Sequence, residues 1–150
     1  MRAEQMAEEF PVVSVNTDAL EAVRLLADRR LPGIVVTDAD GTPRSILPAS
    51  QVVRCLVPGY VQDDPSLAGV LGESLADRVS EKLAGRTVAT LIPFDRVELP
   101  SVQADDTFVE VAAVMARMRS PLVAVLDGPR MIGVITASRL LQLAVPAAPV

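Results

Sequence analysis

The hydrophobic pattern of this chain alternates between helical and extended periods, and it makes the same changes twice. Leu20, Val23, Leu26 and Ala27 recur at helical spacing behind Asp18 and Glu21. Val109, Ala112, Met115 and Ala116 do so behind Thr107 and Glu110. Each polar pair has the spacing of a capping box, in which a short side chain bonds an early helix amide and the Glu reaches back. The pattern predicts one helix behind each box, with those residues as its apolar face. Pro32 then precedes the run Ile34-Val35-Val36, as Pro121 precedes Leu122-Val123-Ala124-Val125. The runs end at Asp38-Ala39-Asp40-Gly41 and at Asp127-Gly128-Pro129, turn sequences in which Gly accepts positive φ. Strands return over 45–47 and 132–135, and short helices over 51–56 and 139–144 close each half. A short strand leads each half, at 12–13 and 99–102.

These elements define an internal repeat. Asp18 and Thr107 stand 89 residues apart (107 − 18), and Val13, Glu21, Pro32 and Val36 recur as Val102, Glu110, Pro121 and Val125. The second turn is one residue shorter, so Ala49-Ser50 falls on Ala137-Ser138. The predicted fold is of the α/β class, α+β in type: two tandem strand–helix–strand–strand–helix units related by a pseudo-two-fold axis. The expected organisation is a first repeat over 1–57, a helical linker over 58–86 and a second repeat over 87–150. In the linker, Asp64-Pro65 has the form of an N-cap followed by Pro at the first helical position. A single helix is expected over 66–84, ended by Gly85. The tail after Val145 is expected to be unstructured.

Composition narrows the function. The net charge of −5 argues against a nucleic-acid binder, and no Lys/Arg cluster suits an anionic membrane. All but one of the 14 basic residues are Arg, the better bidentate phosphate ligand. The single Cys55 excludes an internal disulfide and a cysteine-rich zinc site. With no His, the commonest general base and metal ligand are both missing, so neither a catalytic residue nor a metal site is expected. Asp63-Asp64 and Asp105-Asp106 read as caps of the helices that follow them. Ser50 and Ser138 have no neighbouring base. Cys55, Met6, Met115, Met118 and Met131 read as packing residues. No signal peptide or membrane span is evident, and a cytoplasmic location is expected.

The repeat resembles a pair of cystathionine-β-synthase-type (CBS) domains, a Bateman module. The segment Gly85 to Pro93 is similar to the family's entry motif. Gly133-Val134-Ile135-Thr136-Ala137-Ser138-Arg139-Leu140-Leu141 is similar to its exit motif. The resemblance implies a regulatory, non-enzymatic module that takes AMP, ADP, ATP or S-adenosylmethionine in a cleft between the repeats and controls a separate enzyme or transporter. It implies a homodimer, to which Val52, Val53, Leu56, Leu140, Leu141 and Leu143 would contribute. The ligand-binding residues it points to are Thr136, Ser138 and Arg139, with Val13 and Val102 on the leading strands. Pro48 stands where Thr136 stands in the second repeat, and Gln51 and Arg139 stand where the family carries an aspartate. The rival reading is an adaptor that dimerises and whose cleft binds nothing.

Overall fold

The computed structural model describes residues 1–71, 78–93 and 98–145. After a short α1 (Ala3–Met6), the first repeat comprises β1 (Val12–Ser14), α2 (Ala19–Asp28), β2 (Gly33–Thr37), β3 (Pro43–Pro48) and α3 (Ala49–Leu56). The linker carries α4 (Gly59–Asp63), α5 (Ala68–Leu71) and α6 (Val79–Leu83), with single 3₁₀ turns at Pro65–Leu67 and Val88–Leu91. The second repeat follows as β4 (Ser101–Gln103), α7 (Phe108–Met118), β5 (Leu122–Asp127), β6 (Arg130–Thr136) and α8 (Ala137–Ala144). Each repeat forms a three-stranded sheet in which the first strand runs parallel to the second, and the second antiparallel to the third.

The predicted caps form, unequally. The Thr107 N–H donates to Glu110 Oε2 at 2.8 Å while the Glu110 N–H donates to Thr107 Oγ1 at 3.4 Å, a complete box. In the first repeat only half of it is present: the Glu21 N–H donates to Asp18 Oδ2 at 3.3 Å. Asp18 there engages Thr87 in a backbone bridge, and the Ala19 N–H donates to the Arg86 carbonyl at 2.9 Å. An arginine in the left-handed region closes each helix, Arg30 at φ 52° just past the Arg29 C-cap of α2 and Arg119 at φ 49° as the C-cap of α7, again 89 positions apart (119 − 30).

The buried helix faces differ in phase from the expected ones. On α2 the buried residues are Ala19, Ala22 and Leu26, and on α7 Val111 and Met115. Ala27, Val109 and Ala116, expected inside, face solvent, Val109 with 73% of its surface exposed. The sequence Phe-Val-Glu-Val-Ala-Ala-Val-Met is apolar almost all round, so its period predicts a helix without choosing its buried side. Asp64 caps as expected, accepting from the Ser66 N–H at 3.2 Å, but Asp106 turns back to accept from the Gln103 N–H at 2.8 Å. The single helix expected over 66–84 is replaced by separate pieces. Arg78 (φ −99°, ψ 4°) is a non-helical N-cap from which α6 starts afresh, and 72–77 lie outside the described residues. Leu83 is fully buried in the first core, with Val79 packed against the same cluster, so tertiary packing and not local helix propensity sets where α6 lies. The expected unstructured tail, 146–150, is also outside the described residues.

Each repeat completes its core with a segment that precedes the other repeat. Val88 and Leu91, together with Leu83, are buried with Val13, Ala22, Ile34 and Leu47 of the first repeat. Ala3 and Met6 are buried with Val102, Val111, Val123 and Ile135 of the second. The hydrogen bonds match. The Val88 and Ala89 amides donate to the Thr17 and Val15 carbonyls, at 2.9 and 3.0 Å. The Ala3 and Glu4 amides donate to the Asp106 and Ala104 carbonyls, at 2.8 and 2.9 Å. A third cluster joins the halves, with the equivalent residues Ile46 and Val134 at its centre and Phe10 and Leu99 against it.

Candidate functional site

A cleft of about 430 Å³ opens between the repeats, lined by Glu8, Phe10, Arg29, Pro32, Thr136 and Ser138 among others. Thr136 reaches it from the end of β6 and Ser138 from the first turn of α8; Arg29 and Pro32 come from the α2–β2 connection. Thr136 is the N-cap of α8, accepting from the Arg139 N–H at 3.1 Å, and its Oγ1 lies 3.2 Å from Ser138 Oγ. The cap holds both hydroxyls in fixed positions at the cleft wall, where the proton not used between them can be donated to a ligand.

Glu8 enters through the backbone. Its N–H donates to the Val134 carbonyl and the Val134 N–H donates back, both at 2.9 Å, so residues 7–8 extend the edge of β6. Gly133 permits this approach, because a Cβ there would stand 2.9 Å from both the Ala7 Cβ and the Glu8 carbonyl oxygen. The Arg139 side chain does not line the cleft: its Nε lies 3.7 Å from Glu8 Oε1 and, though buried, has no hydrogen-bond partner among the described residues. Val13 and Val102 lie in the two separate cores, and neither borders the cleft.

The first repeat offers a different surface. By strand register Ser45 pairs with Val36 as Gly133 pairs with Val125, so Ser45 occupies the position of Gly133. A second cavity of about 440 Å³ lies beside Ser45, lined also by Val15, Arg44, Thr90 and Ile92. Its one guanidinium, Arg44, is paired with Asp38 at 3.1 Å. Although slightly larger, it is the poorer candidate: its lining holds no carboxylate, and of its two hydroxyls that of Thr90 is already spent donating to the Thr87 carbonyl at 2.7 Å. Pro48, the N-cap of α3, has no hydroxyl to offer, and Gln51 donates instead to the Leu91 carbonyl at 3.3 Å. Cys55 is half-buried against the first core, with its Sγ 3.7 Å from that same carbonyl.

Two stretches of the chain, 3–58 and 94–145, match the model of the CBS domain. The chain belongs to the CBS-domain family. A CBS domain-containing protein of unknown function from Kribbella flavida has a crystal structure that is 64% identical over 96% of this chain and 98% of its own, with a TM-score of 0.83. CBSX2, crystallised in complex with AMP, shares the CBS-pair fold at 16% identity, covering 95% of each chain, with a TM-score of 0.66. A conserved CBS-domain protein from Thermoplasma acidophilum is similar at 22% identity, over 95% of this chain and 68% of its own, with a TM-score of 0.68. The comparison with curated proteins finds no match.

Within this CBS pair the hydroxyls of Thr136 and Ser138 were legible from the exit motif, whereas Glu8, Phe10 and Arg29 were not. The available signal was a second separation: Ala3 and Met6 stand 85 residues before Val88 and Leu91 (88 − 3, 91 − 6), marking residues 1–8 as a counterpart of the entry motif. Among the described residues, no group of three or more His, Cys, Asp or Glu side chains is arranged to hold a metal ion, and no helix is long and apolar enough to cross a membrane.

Proposed function

We propose that this CBS pair is a ligand-sensing module that takes an adenosine-containing nucleotide in the inter-repeat cleft and passes the binding event to a separate enzyme or transporter. The observation that carries the reading is the meeting of Thr136 and Ser138, fixed by a helix cap, with Arg29 and Glu8 in one cleft of about 430 Å³. That volume falls in the range of small-molecule sites, about 300–1,000 Å³. Arg29 supplies a cation for phosphate, the hydroxyls supply donors, and Phe10 with Pro32 supplies apolar surface for a base. The AMP complex of CBSX2 supports the same choice of ligand. One site per chain is proposed, because Pro48 and Gln51 give the first repeat no matching hydroxyl and no carboxylate. The module acts by binding and carries no catalytic step.

Isothermal titration with AMP, ADP, ATP and S-adenosylmethionine tests this reading. Saturable heat from at least one of them at submillimolar concentration is expected; no heat from any of the four overturns it.

A second reading, a dimerising adaptor, draws on Val53 and Leu141. These are equivalent positions on α3 and α8 (141 − 53 = 88), and they are exposed to 60% and 63% respectively. Their neighbours Val52 and Leu140 point into the cores. A homodimer covering this matched pair fits both readings, and only the titration separates them.

A further inference from the structure

The geometry points to Glu8 as the residue that reads the sugar hydroxyls of the bound ligand, with Arg139 as its positioning residue. This rests on the nucleotide reading of the cleft and adds to it the group that selects a ribose diol. A vicinal diol presents two O–H donors, and a carboxylate can accept both at once. The hydroxyls of Thr136 and Ser138 are poorly suited to that task. Thr136 Oγ1 already accepts from the Arg139 amide, and the two oxygens lie 3.2 Å apart, close enough to share one proton. The charged acceptors on the cleft wall are Glu8 and Glu9.

Of these two, Glu8 is the one held in place. Its backbone is pinned to Val134 by two 2.9 Å hydrogen bonds, and its Oε1 lies 3.7 Å from Arg139 Nε. Its side chain remains 56% exposed, so the carboxylate lone pairs are open to a ligand. Among the described residues the buried Arg139 Nε–H has no hydrogen-bond partner, and its ion-pair contact is with this same carboxylate. Arg139, on α8, thus acts through Glu8 and not on the ligand. Because the segment carrying Glu8 comes from ahead of β1 while Thr136 and Ser138 belong to the second repeat, the site is complete only when Glu8 is paired with Val134 on β6.

The test compares AMP with 2′,3′-dideoxy-AMP by isothermal titration of the full chain. Wild type is expected to prefer AMP by about tenfold or more, the scale of a charge-assisted hydrogen bond. Glu8→Gln, which keeps the backbone pairing with Val134 and is checked for an unchanged melting temperature, is expected to bind both ligands within about threefold of each other. Arg139→Ala is expected to reduce the preference and Arg139→Lys to restore it, which a purely structural role of Arg139 does not produce. A wild type that binds both analogues alike, or a Glu8→Gln protein that keeps the full preference, overturns the assignment and leaves the nucleotide reading standing. Failure of wild type to bind either analogue below millimolar concentration overturns both.

Discussion

The Glu8 amide and carbonyl pair with Val134 through two hydrogen bonds of 2.9 Å, joining a residue ahead of the first repeat to the last strand of the second. This contact depends on Gly133. A β-carbon at 133 would meet the Ala7 Cβ and the Glu8 carbonyl oxygen at 2.9 Å, well inside van der Waals contact. Backbone is the harder of those two neighbours to move. Gly133→Ala is therefore expected to push the strap from β6 and destabilise the protein by about 1–3 kcal/mol, the usual cost of overpacking. Denaturant titration checks this. Ser45, its counterpart, has a buried hydroxyl with no partner among the described residues, so Ser45→Ala is expected to be neutral or slightly stabilising.

Met6 should matter far more than its place near the chain start indicates. It is fully buried in the second core, as Leu91 is almost fully buried in the first. Met6→Ala and Leu91→Ala are each expected to cost about 2–5 kcal/mol. Chemical denaturation of the two variants should show losses of similar size if the exchange of segments is as symmetric as the hydrogen bonds.

The arginines that end α2 and α7 sit in the left-handed region, which costs a non-glycine residue about 1–2 kcal/mol. Arg30→Gly and Arg119→Gly are each expected to raise stability, by up to about 1 kcal/mol once the greater freedom of glycine in the unfolded chain is subtracted. Thermal melts of the two variants check the sign.

Val53 and Leu141 are predicted to lie at a homodimer interface. Val53→Asp and Leu141→Asp are expected to shift the protein to a monomer in sedimentation equilibrium while leaving its circular dichroism unchanged. A monomeric wild type at micromolar concentration contradicts the dimer.

Much of this fold was legible because its signals are local. A cap such as Thr107 with Glu110, or a turn such as Asp127-Gly128, declares itself within four residues. The repetition of these signals then implied two like units. What escaped is set by contacts between distant segments. The phase of α7 was ambiguous because Val109 and Val111 are equally apolar, and only packing on β4 and β5 selects Val111. In place of the single helix expected over 66–84, α6 starts at Val79 behind Arg78, where Leu83 reaches a core built mainly of residues more than 30 positions upstream. In the cleft, Thr136 and Ser138 were found through the exit motif. Glu8 joined them through main-chain pairing, which any residue type can make and no side-chain pattern reveals.

Amide chemical-shift mapping during an AMP titration of labelled protein decides whether a nucleotide binds in the cleft between the repeats. Binding in that cleft predicts saturable shifts grouped at Glu8, Phe10, Arg29, Leu31, Thr136 and Ser138, with residues around Val15 and Thr90 unmoved. Shifts confined to the Val15–Thr90 cavity, or none at all at millimolar AMP, contradict it.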